Sequence, residues 1–559
     1  MIFAVCEAKR ISGDFILSFW DFAQPRLARI DGPVRRFGPT LLFVLVTLVA
    51  LSVFRGQMPR FYPHWVPNSA KIYLPLLGML AIAIAFYRTK YTAFVPLLSA
   101  ILRASAVGLT VLLLIERPDY TLADPETATR AAQYVATGFY LAVGLSVLSW
   151  FRPAFILPVV IYLMSTRLLV AQISGVWMSY LDTRYMMDMA FYLIAFGLIV
   201  VKAGPKIHPW LAAPERQTEI VGVVFGLHLA NYLWSGVAKL TLGPTPWYWM
   251  VENPTINQIP YTLESGILPI GHLPWLTDLA YQGFQLSYIP MNAAIVFAQL
   301  FALICVLRVS WLKIASLMYE ALHIGIYILG GLFFWPWIWS NLTVWWAART
   351  AKEGLSWNTK LACIATILLG APALHINPAP PLAWFDLADS RQVYIEAVTK
   401  DGRHVKVPSA FFSSHSYSMS HAYLGSQAIE GQYDHTTLAS STSLERQQKD
   451  GQCVAPSTLT HAVPETAEAR EVREAQLSRF LIAHHKKMLA RDPTQARKSY
   501  YFRFHHHPSN PFLYKEFNAL SLEDVVGYQQ VIESVCHSMK GGHVEKKVIA
   551  RDTEYVSVL

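Results

Sequence analysis

His228, Asn231, Ser235 and Lys239 are spaced three, four and four residues apart. On an α-helix that spacing puts all four on one face. They sit in GLHLANYLWSGVAKLTLGPTPWYWM (226–250), which starts as an apolar helix and ends in an aromatic, Pro-broken turn. A polar stripe ending in a lysine is costly on a membrane span unless it faces protein or a water-filled cavity. There a desolvated lysine can serve as a base, with His228 on the same face. Two other roles stay open: Lys239 as an interfacial lysine snorkelling from a span end, and His228 as a hydrogen-bonded packing residue.

Further ionisable groups interrupt apolar runs. Glu320 and His323 lie three apart, and Tyr327 extends their face by four. Arg103 and Arg167 each interrupt an apolar segment, and Asp182, Arg184 and Asp188 flank the start of another. A carboxylate at mid-span needs a cation or a proton. These residues therefore imply either buried ion pairs that fix helix packing or a polar cavity that holds a ligand. In the second case Glu320 and His323 form an acid/base or orienting pair. No HExxH, P-loop, GxSxG or CxxCH motif is present. His484, His485 and the run 505–507 are possible metal ligands, but a soluble strand and helix do not by themselves supply the closed geometry a metal needs. No metal is expected.

Composition says what must position these groups. The 559 residues are 53% hydrophobic and only 15% charged, against about 25% charged in soluble domains. The expected architecture is an all-α polytopic membrane bundle of about nine to eleven spans, followed by an extramembrane α+β or β-rich domain. Apolar runs place the spans near 40–54, 72–87, 93–115, 131–150, 154–173, 186–201, 219–240, 288–307, 312–334, 335–348 and 359–376. Residues 1–39 form a basic lead, 40–376 the membrane domain, and 377–559 the C-terminal domain with a polar insert at 425–465. The net charge of +9 gives no case for nucleic acid, because much of the excess lies in short connections between spans. There it reports orientation, with the N-terminus cytoplasmic and the C-terminal domain outside. Arg55, Arg60 and Lys71 run against that assignment.

The connection 243–287 has no Lys or Arg and is rich in Pro, Trp and Tyr, with Trp247 among them. Such a loop is either a lid or an interfacial aromatic belt. Beyond 377, VYIEAVTKDGRHVKVP reads as a hairpin turning at Asp401-Gly402. A charged helix is expected at 466–491, a strand at 500–507, a helix from Ser521 to Met539, and a final strand. Cys453 and Cys536 both fall in this domain and could pair if it lies outside the cytoplasm.

YLWSGVAKLTLGPTPWYWM resembles the Tyr-x-x-Ala-Gly-x-x-Lys-Leu segment of the vitamin K-dependent gamma-carboxylases and their bacterial relatives with the horizontally transferred transmembrane domain. YEALHIGIYILGGLFFWPWIWSNL, YLDTRYMMDMAFYLIAF and LAWFDLADSRQVYIEAVTKDG are similar to further family segments, over roughly 160–410. The resemblance implies Lys239 as the base that deprotonates a reduced vitamin K or menaquinone-like quinol. Asp182, Glu320 and His323 would relay protons. Asn231, Ser235, Arg103, Arg167, Tyr327 and Trp247 would line the substrate. In the family, quinol oxygenation drives carbanion formation and CO2 capture on a peptide. The chain departs from the family in having Ala238 before Lys239 where the animal enzymes have a second lysine, Asp182 where they have a histidine, and no Asn-Gly-Gly-Asp motif. The expected partners are the bilayer, a lipophilic small molecule and a protein or peptide substrate, in a bacterial inner membrane. Two other classes use the same residues: a non-catalytic transporter, immunity or assembly factor, and a quinone-binding redox subunit.

Overall fold

The computed structural model describes residues 33–57, 68–115, 125–174, 181–370, 383–416 apart from 384 and 387, 419, 466–491, and 508–559 apart from 542. The insert 425–465, the expected strand 500–507, the histidines 505–507 and Cys453 lie outside the described residues. So do the side chain of Asp182 and residues 1–32 of the basic lead.

The N-terminal part is a helical bundle: α1 (Pro33–Gln57), α2 (Asn68–Ala85), α3 (Pro96–Ile115), α4 (Pro125–Ser149), α5 (Ile156–Ser174), α6 (Leu181–Leu198), α7 (Glu215–Leu240), α8 (Tyr248–Glu252), α9 (Gln258–Glu264), α10 (Pro274–Leu300), α11 (Val309–Gly330), α12 (Trp335–Ala348) and α13 (Trp357–Ala365). Among the described residues seven helical segments are long and apolar enough to cross a membrane. The apolar helical stretches 69–85 and 153–169 are shorter. The spine is α7: 83% of its 18-residue apolar stretch is buried, against 28–61% of the corresponding stretches in the other six segments. A span that carries a polar stripe has to turn it toward protein, which puts the helix inside the bundle.

Close packing centres it. Gly222 and Gly226 form a GxxxG pair on α7, and α13 lies against them. A Cβ on Gly222 would sit 2.5 Å from the Thr359 carbonyl oxygen, and one on Gly226 2.6 Å from that of Cys363. In lipid, where there is little hydrophobic drive between helices, such close backbone approach is a main source of helix association. Gly331 ends α11 in the left-handed region, with φ 66°. That turn separates α11 from α12, as the expected pair of segments at 312–334 and 335–348 requires.

The expected loop 243–287 is corrected. It contains α8 and α9, and α10 starts at Pro274 rather than near 288. Asp278, Gln282 and Gln285 dilute the apolar signal of the first turns, and Pro290 suggests a break that the helix does not make. The apolar segment from Pro274 to Leu303 has 30 residues, about 45 Å of rise against the ~30 Å hydrocarbon layer. Its first turns therefore extend beyond the apolar zone, and α8 packs lower down, at Asn292 and Val296.

The C-terminal domain is an antiparallel sheet of order β2-β1-β3-β4, from β1 (Asp389–Thr399), β2 (His404–Val407), β3 (Val525–Lys540) and β4 (His543–Ser557). The β1–β2 hairpin turns at Asp401-Gly402 as expected, Gly402 having φ 78°. The charged helix is present as α14 (Ala467–Arg491), and its Leu477, Phe480 and Leu481 enter the core with Phe411, Phe412 and Tyr528. The helix expected at 521–539 is instead strand β3. Ser521 does cap a short turn at 522–524, but Val525, Val526, Val531, Ile532 and Val535 are β-branched and favour strand. The strand is buried almost continuously from Gln530 to His537. A strand covered on both faces loses the alternation that would reveal it. Gly541, with φ 56°, closes the β3–β4 hairpin rather than a helix. His484 and His485 are packing histidines, one at 3.0 Å from the Phe411 carbonyl oxygen and the other at 3.0 Å from the Tyr528 hydroxyl. Cys536 is disulfide-bonded, and its partner sulfur lies outside the described residues.

The sheet's other face sits on residues 253–273. Lys546 donates to Glu264 at 2.9 Å and reaches Glu533 at 2.6 Å, while Lys406 donates to the Glu264 carbonyl oxygen at 2.7 Å. The Tyr514 hydroxyl donates to the Ser265 carbonyl oxygen at 3.1 Å, and Asn510 Nδ2 to that of Leu268 at 2.9 Å. Burial pushes the Glu264 carboxyl up, but Lys406 and Lys546 outweigh it and leave it below the usual range. Burial pushes His537 down to about 4. Both signs act together. Below about pH 6.5 the unfolded chain protonates this histidine and the folded one does not, so its contribution is complete above that pH and is lost as pH falls toward 4. The depressed Glu264 contribution is lost lower still. We expect acidification from pH 7 to 4 to destabilise the seam by about 3 kcal/mol through His537. The check is protease nicking of the C-terminal domain against pH, where His537→Phe should flatten the profile. A flat wild-type profile would refute this.

Candidate functional site

Two polar clusters lie along α7, and they are separate. His228 and Lys239 share a face, but eleven residues of helix put about 16 Å between them.

The first cluster lies where α6, α7, α11 and α12 meet. Asn341 on α12 is its hub and is almost fully buried. Its Oδ1 lies 2.8 Å from His228 Nε2 and 2.9 Å from the Tyr232 hydroxyl. A carboxamide oxygen can only accept, so His228 carries a proton on Nε2. The neutral ring then accepts at Nδ1 from the Tyr185 hydroxyl, at 2.7 Å. Asn341 Nδ2 can only donate, so His323 Nδ1 accepts at 3.3 Å and the neutral ring carries its proton on Nε2. The amide orientation follows from this network. The result is a directional chain, Tyr185 to His228 to Asn341 to His323, in which each donor polarises the next.

Aromatic rings wall the chain. Tyr185 stacks on Trp337 with centroids 4.7 Å apart, and Tyr232 on Tyr319 at 3.7 Å. Trp337 also lies near parallel to both imidazoles, 5.9 Å from His228 and 6.2 Å from His323. Glu320 interacts with Asn341, yet its Oε2 is buried with no hydrogen-bond partner among the described residues. Glu320 and His323 are 9% and 8% exposed, whereas His228 and Asn341 are 2% and 1%. The carboxyl and the second imidazole are therefore the outer end of the centre. Ile324 and Leu317 beside them on α11 are exposed, on a helix whose composition suits lipid. The arrangement can take or give a proton at a ligand oxygen and stack a flat ring.

The second cluster closes the end of α7. Lys239 is 1% exposed. Its ammonium lies 5.0 Å from the Trp249 ring centre and donates to the Ser235 carbonyl oxygen at 3.4 Å. Its charge acts on Asp386, which lies between the bundle and β1. Asp386 accepts from Gln258 Nε2 at 2.8 Å and Asn253 Nδ2 at 3.1 Å, and its own amide donates to Asn253 Oδ1 at 2.7 Å. Burial pushes the Asp386 carboxyl up to about 7, against the pull of these donors and of Lys239. Asn292 extends the network from α10, donating to the Asn253 carbonyl oxygen at 2.9 Å and accepting from Thr255 at 2.6 Å.

The other expected residues are scattered. Asn231 is buried and its Nδ2 bonds to its own helix at the Leu227 carbonyl oxygen. Ser235 is engaged through its backbone. Arg103 is exposed, with its guanidinium over Tyr91. Arg167 is buried on α5. Tyr327 is half-buried and packs on Phe333. Trp247 is 62% exposed, outside both clusters. The residues named from sequence thus do not form one pocket around Lys239. Asn341, Tyr185, Tyr232, Trp249 and Asp386 were missed. Asn341 had a usable signal, being the lone amide in the apolar run WPWIWSNLTVWW.

No family model, no curated protein and no solved structure matches this chain.

Proposed function

We propose that this protein is an integral membrane enzyme that performs proton chemistry on a lipophilic, ring-bearing hydroxyl compound such as a quinol. The observation that carries the reading is the Tyr185–His228–Asn341–His323 chain with the unmet Glu320 oxygen at its outer end. A quinol ring suits the flat aromatic walls, and its hydroxyl suits a paired imidazole and carboxyl. Glu320 takes the substrate proton, His323 donates from its Nε2 to a substrate oxygen, Asn341 fixes both imidazole tautomers, and Lys239 is a second candidate base. Coupling to CO2 capture on a peptide, as the carboxylase resemblance implies, is part of the same proposal. So are a bacterial inner membrane and an outward C-terminal domain, for which the bonded Cys536 is support, since disulfides persist in oxidising compartments.

The test is quinol turnover by protein in nanodiscs. Reduced menaquinone or vitamin K is supplied with and without CO2 and a Glu peptide, and products are followed by chromatography. His323→Gln and Asn341→Leu should each lower kcat about 10²–10⁴-fold while the Tm stays within a few degrees for His323→Gln. Turnover unchanged in His323→Gln, or none in wild type with any quinol, sinks the reading.

A second reading rests on the Lys239–Asp386 pair. It makes Lys239 a structural tie between α7 and the entry to the sheet domain, in a non-catalytic membrane protein. Under it Lys239→Met loses stability and no chemistry.

A further inference from the structure

A cleft of about 500 Å³ opens where the start of α11, the end of α12 and the turn into α13 converge. Arg308, Lys313, Arg349, Lys352 and Lys360 line it, with Glu353 as its one acidic residue. Among the described residues none of these five cations lies within 4.0 Å of a carboxylate. Five positive charges facing one concavity repel one another, and burying a shared counter-anion there relieves it.

Three of the cations rest over tryptophan rings. The Arg308 guanidinium lies 4.9 Å from the centre of the Trp311 ring, that of Arg349 5.2 Å from Trp345, and the Lys360 ammonium 4.8 Å from Trp357. Each pair comes from a different one of the three helical segments. Guanidinium forks suit phosphate oxygens in particular. The volume falls within the usual range for small-ligand sites and admits a headgroup-sized anion. Trp357 is 60% exposed, Ile314 52% and Trp346 43%. None of the three lines the cleft, but each lies within three residues of one that does, and such exposed side chains are of the kind found at a bilayer surface.

We infer that this cleft binds a phosphate-bearing anion, clamped by Arg308, Arg349 and Lys360. The phosphate can come from the headgroup of an anionic phospholipid or from a soluble phosphate compound. Both offer the same oxygens, and basic pockets between membrane helices take such groups.

The test uses the full chain in neutral detergent and reads intrinsic tryptophan fluorescence, since Trp311, Trp345 and Trp357 carry the cations. One arm titrates phosphatidylglycerol in mixed micelles against phosphatidylcholine. The other titrates inorganic phosphate and glycerol phosphate without lipid. Arg308→Gln/Arg349→Gln/Lys360→Gln is compared with Arg88→Gln/Lys90→Gln/Arg152→Gln, which removes the same charge elsewhere. Saturable binding to either anion, weakened at least tenfold by the cleft variant and less than twofold by the control, supports the site. The arm that saturates identifies the source. No saturable binding in either arm, or equal weakening by both variants, overturns it. Arg349→Gln alone is read the same way, so the outcome does not depend on the triple variant folding.

Discussion

Lys239→Met is expected to cost about 1–3 kcal/mol of stability, because it takes away the charge that acts on the buried Asp386 carboxyl. The cost should depend on pH in a definite direction. Asp386 already sits near 7 through burial, and losing Lys239 raises it further. A group raised in the folded state loses stability as pH rises through the gap between its unfolded and folded values. The variant should therefore be least impaired near pH 5, where Asp386 is protonated, and most impaired near pH 9. Asp386→Asn keeps acceptor and shape beside Gln258 and Asn253, so Lys239→Met/Asp386→Asn should recover most of the loss and flatten the pH profile. Thermal melts of the four proteins from pH 5 to 9 check this. Equal loss at both pH values, or no recovery in the double variant, would mean that the two side chains do not act as a pair. If the recovered double variant also turns over quinol, Lys239 is a tie and not the base.

The second large effect is steric. Gly222→Leu and Gly226→Leu must each push α13 away from α7, since even the first side-chain carbon meets a carbonyl oxygen at 2.5 and 2.6 Å. Backbone cannot move aside as a flexible side-chain tip can. Each should cost about 1–3 kcal/mol or more, as overpacking does, and together they should prevent recovery of a monodisperse protein. Gly78 on α2 and Gly144 on α4 are the controls. A Cβ on either meets nothing within 4 Å, so replacing them with Ala should be neutral or stabilising by up to about 1 kcal/mol. Size-exclusion profiles and melts separate the two pairs. If Gly226→Leu behaves like Gly78→Ala, the contact between α7 and α13 does not hold the bundle together.

These two tests concern features that the sequence exposes unequally. Hydropathy located most of the long helices, and the Asp401-Gly402 turn marked its hairpin, because both signals are local. The polar stripe on α7 was also legible, but its division into two clusters was not. Spacing says which residues share a face and nothing about which neighbours arrive at each level of it. Asn341 reaches His228 across 113 residues of chain and Asp386 meets Asn253 across 133. Neither pairing leaves a trace in any window of twenty residues. Strand β3 failed for a different reason. Its polar residues Glu533 and His537 are buried toward the 253–273 segment and Gln530 on the opposite face, so the three- and four-residue spacing of its apolar residues imitates a helix. The GVVFG pair could have been read as a packing motif from the sequence alone.

The pairing of β1 with β3 sets a schedule for biogenesis. Asp389 stands opposite Cys536, and Thr399 opposite Val525, so β1 emerges from the ribosome more than a hundred residues before its partner. Until β3 arrives, the β1–β2 hairpin has an open edge and Glu264 lacks Lys546. The helices of the bundle can meanwhile insert and pack. A nascent chain stalled between the two strands would thus present a finished membrane part with an unsheltered strand, open to proteases and to pairing with another chain. Quality control acting on that interval would decide yield, independent of how stable the completed protein is.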